Sequence, residues 1–192
     1  MTAIALRGVR KAYGEQVVLD GLDLDLPRGA VTALMGPNGS GKTTIGRLVL
    51  GLTRPDAGTV AGLEGLRVVA TFQEDRLCEQ LTAAANVRLV LDRAHAPDAE
   101  AALRDAGLDD DALAKPVREL SGGQRRRVAI VRALVAPADV VVLDEPFKGL
   151  DTAARERLIA LVGARCAGRT VLLITHDVAE ATALGATVVT LG

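Results

Sequence analysis

The sequence predicts an α/β protein. A mainly parallel sheet with crossover helices carries an N-terminal antiparallel β part and an inserted α-helical subdomain. Three observations point there. Short, β-branched apolar runs alternate with helical patterns, the order expected of parallel strands joined by crossovers. "GLDLDLPRG" alternates leucine with aspartate from Leu22 to Leu26, the period of a half-exposed strand, and closes in a Pro-Arg-Gly turn. The stretch from about 74 to 119 is alanine-rich and has helix caps but no strand signal.

In chain order, "AIALRGV" and the Leu22–Leu26 stretch are the expected partly antiparallel strands. "AVTALMG" is a more continuously apolar strand. "LRVVATF", "ADVVVLD", "TVLLITH" and "ATVVTLG" read as strands buried on both faces. Helices are expected at about 42–51, 122–135, 152–166 and 177–184. Within the insertion, Thr82 and Asp98 are expected N-caps and Gly107 follows a helix end. No internal repeat or low-complexity linker interrupts the chain. One domain is therefore expected, with residues 1–73 and 120–192 as core and 74–119 as the inserted helical subdomain.

Composition excludes several classes. With 192 residues, 49% hydrophobic and 24% charged, the chain is globular and not disordered. A net charge of −1 implies no general attraction to nucleic acid or anionic lipid. Cys78 and Cys166 stand far apart and form no metal-ligand pattern, so they read as reduced thiols. The chain shows no signal-peptide pattern at its start, and no apolar run approaches the ~18 residues of a membrane span. If the protein works at a membrane, another subunit supplies the membrane part. The aromatics are Tyr13, Phe72 and Phe147, so the core must be built of Leu, Val, Ile and Ala.

Two motifs carry chemistry. "GPNGSGKT" lies between a predicted strand and a predicted helix and matches GxxxxGK[ST]. Gly36, Gly39 and Gly41 let the backbone fold around phosphate with its amides inward. The following helix adds positive potential at its N-terminus. Lys42 can reach β- and γ-phosphates, and Thr43 can place a hydroxyl on Mg²⁺. The expected binding set is Gly36, Pro37, Asn38, Gly39, Ser40, Gly41, Lys42, Thr43 and Thr44. In the second motif, "VVVLDEP", an apolar strand ends in two carboxylates where ligands bind in open α/β sheets. Asp144 is the candidate for Mg²⁺, directly or through water, and Glu145 for accepting a proton from attacking water.

Together with "LSGGQ" at 120–124, these motifs resemble the nucleotide-binding subunit of the ATP-binding cassette (ABC) family, over nearly the whole chain and in the family's order. The resemblance implies a P-loop ATPase using ATP and Mg²⁺. It implies that Tyr13, in "KAYG", stacks on adenine and that Gln73, in "TFQEDRL", touches Mg²⁺ or the attacking water while its loop faces a membrane partner. It implies that His176, in "ITHD", contacts the γ-phosphate and that Asp151, in "GLD", carries signals across a dimer. Two cassettes would pack head to tail, so that Ser121, Gly122, Gly123 and Gln124 close over ATP held by the other copy.

"FQEDRL", "LTAAANV" and "DEPF" look like ATPase subunits of nitrate, sulfonate and taurine importers. The implied partners are a second ATPase subunit, a transmembrane permease and an external solute-binding protein, with no nucleic acid. The implied location is cytoplasmic, peripheral on the inner face of the cell membrane. Lys148 departs from the family pattern near Asp151. The chain stops at Gly192, where family members commonly continue, so a less covered C-terminal edge is expected. A soluble ATPase of the same family, for example in metal-cluster assembly, and a non-hydrolysing ATP switch share the motifs. Co-purification with a multi-span subunit and phosphate release separate these readings. His95 receives no role. Arg125, Arg126 and Arg127 point about 100° apart on a helix, so they are expected to be solvated or to make intrachain contacts, not to form a nucleic-acid patch.

Overall fold

A computed structural model describes residues 2–192. Its strands are β1 (Thr2–Tyr13), β2 (Gln16–Pro27), β3 (Val31–Met35), β4 (Ala57–Ala61), β5 (Val68–Thr71), β6 (Val140–Asp144), β7 (Thr170–Ile174) and β8 (Thr187–Thr190). Its helices are α1 (Lys42–Val49), α2 (Ala83–Arg88), α3 (Asp98–Asp105), α4 (Asp110–Ala114), α5 (Gly122–Val135), α6 (Thr152–Arg165) and α7 (Val178–Ala183). Two compact units emerge. One runs to Ala70 and takes in Ala138–Glu145 and Gly168–Gly192; the other comprises Thr71–Pro137 and Pro146–Ala167.

The first unit holds the sheets. β1 pairs antiparallel with β2 and with β4, in the order β2-β1-β4. The larger sheet has the order β5-β6-β7-β3-β8, and β6–β7, β7–β3 and β3–β8 run parallel. In β2 the leucine–aspartate alternation does what its period dictates: Leu24 and Leu26 are buried, Asp23 and Asp25 exposed. One core cluster joins Ile4 and Leu6 of β1 and Leu34 of β3 to Ile45 and Leu48 of α1 and Ile174 of β7. α1 lies close on the sheet because Gly46 has no side chain: a Cβ there would sit 3.2 Å from Ile174 Cδ1.

Three strands depart from the sequence-based expectation. β5 was expected to be buried on both faces, but it ends its sheet and Val68, Val69 and Ala70 are only half-buried. β4 was not foreseen, since its residues are mostly exposed and carry no alternation. Gly58 within it adopts φ +81°, and a Cβ there would lie 2.4 Å from Gly8 O, so the strand is built on a close backbone approach. β8 was expected to be buried on both faces but is largely exposed, because it is the last strand of its sheet and pairs only with β3. β3, β6 and β7, inside the sheet, are the buried ones.

The second unit is helical. α5 is its centre, packing on α2, α3 and α6 through Val128, Ile130, Val131 and Leu134. Thr82 caps α2, its hydroxyl accepting from Ala85 N. Asp98, the other expected cap, is instead the first residue of α3, and Pro97 stands at the cap position. Gly107 follows α3 with φ +82°, the left-handed stop of a helix end. Asn86 is fully buried. Its amide nitrogen donates to Cys78 O and Thr82 O, and its oxygen accepts from Cys78 N, fixing the chain that leads into α2.

Candidate functional site

The first unit brings Lys42, Thr43, Asp144, Glu145 and His176 together. Between β3 and α1 the chain turns through Gly36, Gly39 and Gly41, all at positive φ. At Gly41 a Cβ would lie 2.5 Å from Leu19 Cδ2, and at Gly36 2.5 Å from Leu191 O. At Gly39 nothing lies within 4 Å, so open space faces the middle of the loop. Lys42, only 9% exposed, donates from Nζ to Gly36 O (2.8 Å) and Pro37 O (2.7 Å). A buried ammonium therefore sits on carbonyls of the loop itself. Ser40 Oγ is buried without a hydrogen-bond partner among the described residues. The first amides of α1 also lack carbonyl partners one turn back. A cation, an unsatisfied hydroxyl and free amides around an open loop fit a phosphate chain.

Thr43 Oγ1 donates to Asp144 Oδ2 at 3.3 Å. Asp144 ends the fully buried strand β6. A hydroxyl and a carboxylate side by side are hard oxygen donors that fit Mg²⁺. No group of three or more His, Cys, Asp and Glu is arranged to hold a metal among the described residues. A cation here would take its remaining ligands from phosphate and water.

Glu145 follows with φ +48°, a left-handed conformation unusual outside glycine, which stores about 1–3 kcal/mol of strain. Its N–H donates to Ile174 O at 2.9 Å, which holds that conformation against the end of β7. The carboxylate lies 2.9 Å from His176 Nδ1; Glu145 is mostly covered, while His176 is 71% exposed. Behind the histidine, Thr175 Oγ1 donates to the buried Glu180 Oε2 at 2.5 Å and accepts from Asp177 N, bracing the turn that presents His176. Tyr13, at the end of β1, is 44% exposed, with Lys11 Nζ 5.6 Å from its ring centroid.

Gln73, Ser121 to Gln124 and Asp151 belong to the second unit. Ser121 and Gln124 form a capping box at the start of α5: Ser121 Oγ accepts from Gln124 N, and Gln124 Oε1 accepts from Ser121 N. The Gly122 and Gly123 amides stand in the first turn, where no intrahelical carbonyl reaches them. Asp151 caps α6 through Ala154 N. Lys148 is exposed.

Gln73 is exposed but its backbone is held. Arg126, buried, donates to Phe72 O (2.6 Å) and Gln73 O (3.0 Å) and pairs with Asp75 at 3.2 Å. Arg132 donates to Asp75 O (3.2 Å) and Arg76 O (2.9 Å). Burial raises the Asp75 pKa above its ordinary value, against the pull of Arg126, Arg125 and Arg132. Burial likewise lowers that of Arg132. The three consecutive arginines diverge as helix geometry requires: Arg125 reaches Leu120 O and Arg127 reaches Gly107 O. Of the two expectations for this run, solvated charges or intrachain contacts, the second holds; the loop that Arg126 fastens was not foreseen.

The family description "ABC transporter" matches residues 19–148. The chain belongs to the ABC transporter family. An aliphatic sulfonates import ATP-binding protein (SsuB 1) of Nocardia farcinica (strain IFM 10152) is 43% identical over 98% of this chain and 78% of its own length. Nod factor export ATP-binding protein I of Ralstonia nicotianae is 41% identical over 93% of this chain and 60% of its own length. Among solved structures, the ATP-binding cassette MJ0796, in a dimeric post-hydrolysis state bound to ADP and Pi, superposes with a TM-score of 0.86 at 28% identity, covering 98% of this chain and 94% of that one. The likeness extends across both units of this ABC transporter chain, beyond the phosphate loop.

Proposed function

We propose that this chain binds Mg-ATP at Gly36 to Thr44, hydrolyses it, and thereby powers import through a separate membrane-spanning subunit. The observation that carries the reading is the convergence in one unit of the Lys42 loop, the Thr43–Asp144 pair and the Glu145–His176 pair. Importer coupling is supported by the likeness to the sulfonates import protein.

Lys42 would leave the loop carbonyls for β- and γ-phosphate oxygens, and Ser40 would gain the partner its hydroxyl lacks. Thr43 and Asp144 would hold Mg²⁺, with Gln73 reaching it or the attacking water. Bound there, Mg²⁺ would neutralise phosphate charge as the bond to the leaving group lengthens. Glu145 takes the proton of the attacking water, and His176 orients its carboxylate and faces the γ-phosphate. Tyr13, exposed at a strand end, offers its ring to adenine.

The paired glycines of α5 support a second copy as partner. A Cβ on Gly122 would meet nothing within 4 Å of this chain, and on Gly123 only Leu150 Cδ2 at 3.7 Å. Nothing among the described residues demands glycine at either place; phosphate held by another copy would. Ser121, Gly122, Gly123 and Gln124 would close on that ATP, with Asp151 at the dimer contact. Among the described residues no helix is long and apolar enough to cross a membrane. The exposed Leu81, Leu89 and Val90 of the helical unit suit a short helix of a permease, with a solute-binding protein on the far side of the membrane. The chain would then sit peripherally on the cytoplasmic face.

The test is phosphate release from Mg-ATP by the purified chain, alone and with the membrane fraction of its own cells. Turnover that rises on co-purification with a multi-span subunit is expected. Release with cross-links from positions 74–90 only to soluble proteins would overturn the transport coupling. No release under either condition would overturn the enzymatic reading.

A further inference from the structure

We propose that Arg126 and Arg132 are positioning residues that fasten the Gln73 loop to α5, so that Gln73 and the Ser121–Gly123 helix start move as one body. The inference rests on the proposed role of Gln73 toward Mg²⁺ or water. Four backbone carbonyls of one short loop, those of Phe72, Gln73, Asp75 and Arg76, accept from these two guanidiniums. Both arginines come from the same helix, and a planar guanidinium can serve two acceptors at once. Asp75 adds a carboxylate to Arg126. The loop is also closed on itself: the Arg76 guanidinium lies 4.0 Å from the Phe72 ring centroid. Arg76 takes a left-handed φ of +46°, a conformation that persists only where its surroundings fix it. Gln73 keeps its own side chain exposed while its backbone is pinned. That is the arrangement of a residue whose position is set and whose amide remains available. Arg126 stands one helical turn, about 6 Å of rise, from Gly122, so displacement of the loop is passed directly to the glycine end of α5.

Arg126→Gln and Arg132→Gln test this, each measured two ways. The first is amide hydrogen exchange of residues 71–77, with 128–135 and Val140–Asp144 as internal controls. The second is kcat and KM for Mg-ATP, in the native background and with Gln73→Ala. Exchange in 71–77 is expected to rise about 10- to 100-fold while the controls hold, as for losing a charge-assisted hydrogen bond. The value of kcat should fall with KM little changed, and Gln73→Ala should abolish the further effect of Arg126→Gln. If Arg126→Gln does not fold, Arg132→Gln, which holds carbonyl oxygens, is read alone. Unchanged exchange in 71–77 would overturn the fastening. A kcat loss that persists undiminished in the Gln73→Ala background would overturn its route through Gln73. If Gln73→Ala itself leaves kcat unchanged, the role given to Gln73 fails, and the exchange result alone decides whether the arginines hold the loop.

Discussion

Lys42 and Glu145 hold opposite charges in the same unit, and they should fail in different ways. Lys42 is fastened to its own loop by two carbonyls and supplies the cation that a phosphate chain needs. Lys42→Ala should therefore weaken ATP binding itself, as titration with labelled nucleotide will show. Glu145 supplies a base, and a positioned base contributes ~10²–10⁴-fold in rate. Glu145→Gln should bind Mg-ATP as before and turn it over at least ~100-fold more slowly. Near-normal steady-state hydrolysis in that variant would sink the assignment. The positions of Thr43 and Asp144 were legible because motif spacing puts both at one sheet edge. The left-handed backbone of Glu145 was not, because a residue before proline is ordinarily pushed toward extended conformations. Only the hydrogen bond from its N–H to Ile174 O, made across the sheet, reveals why it turns.

At the scale of elements, pattern was readable wherever one face meets a core. β2 keeps its leucine–aspartate alternation, β3, β6 and β7 are the apolar runs they were read as, and α5 and α6 fall where their patterns put them. β4 escaped, and the exposure of β8 was missed, because edge strands need no apolar alternation and leave one side open. The fastening of residues 72–76 to α5 was equally invisible, since backbone carbonyls leave no mark in sequence. Asp75 carries the pH consequence. Its pKa in the fold lies above the ordinary 3.8, because burial outweighs the arginines. The folded chain thus keeps this proton longer than the unfolded chain. The stabilisation is complete below the ordinary carboxylate value and is lost as pH rises through the folded one. Urea unfolding from about pH 4 to about pH 7 should show the native chain losing stability relative to Asp75→Asn. A constant difference across that range would contradict it.

Across the whole molecule, ABC transporter membership and the α/β architecture were readable from three motifs and their order: two sit where a strand hands over to a loop, and the third opens a helix. How the residues group in space was harder to read. Compactness joins α5 and α6 to the inserted helices, because these pack on one another through apolar faces, whereas sequence order sets them in the core. The central claim is that one copy is half a site. Light scattering of ATP-dependent dimerisation tests it, using Gly122→Asp and Lys42→Ala chains, each alone and mixed. Mixed dimers keep one site with both an intact phosphate loop and an intact α5 start. Dimerisation should therefore recover partly in the mixture, while each variant alone stays monomeric and Gly122→Asp still binds ATP. Loss of ATP binding by isolated Gly122→Asp would show that the glycines act on their own chain's nucleotide, and would contradict the account.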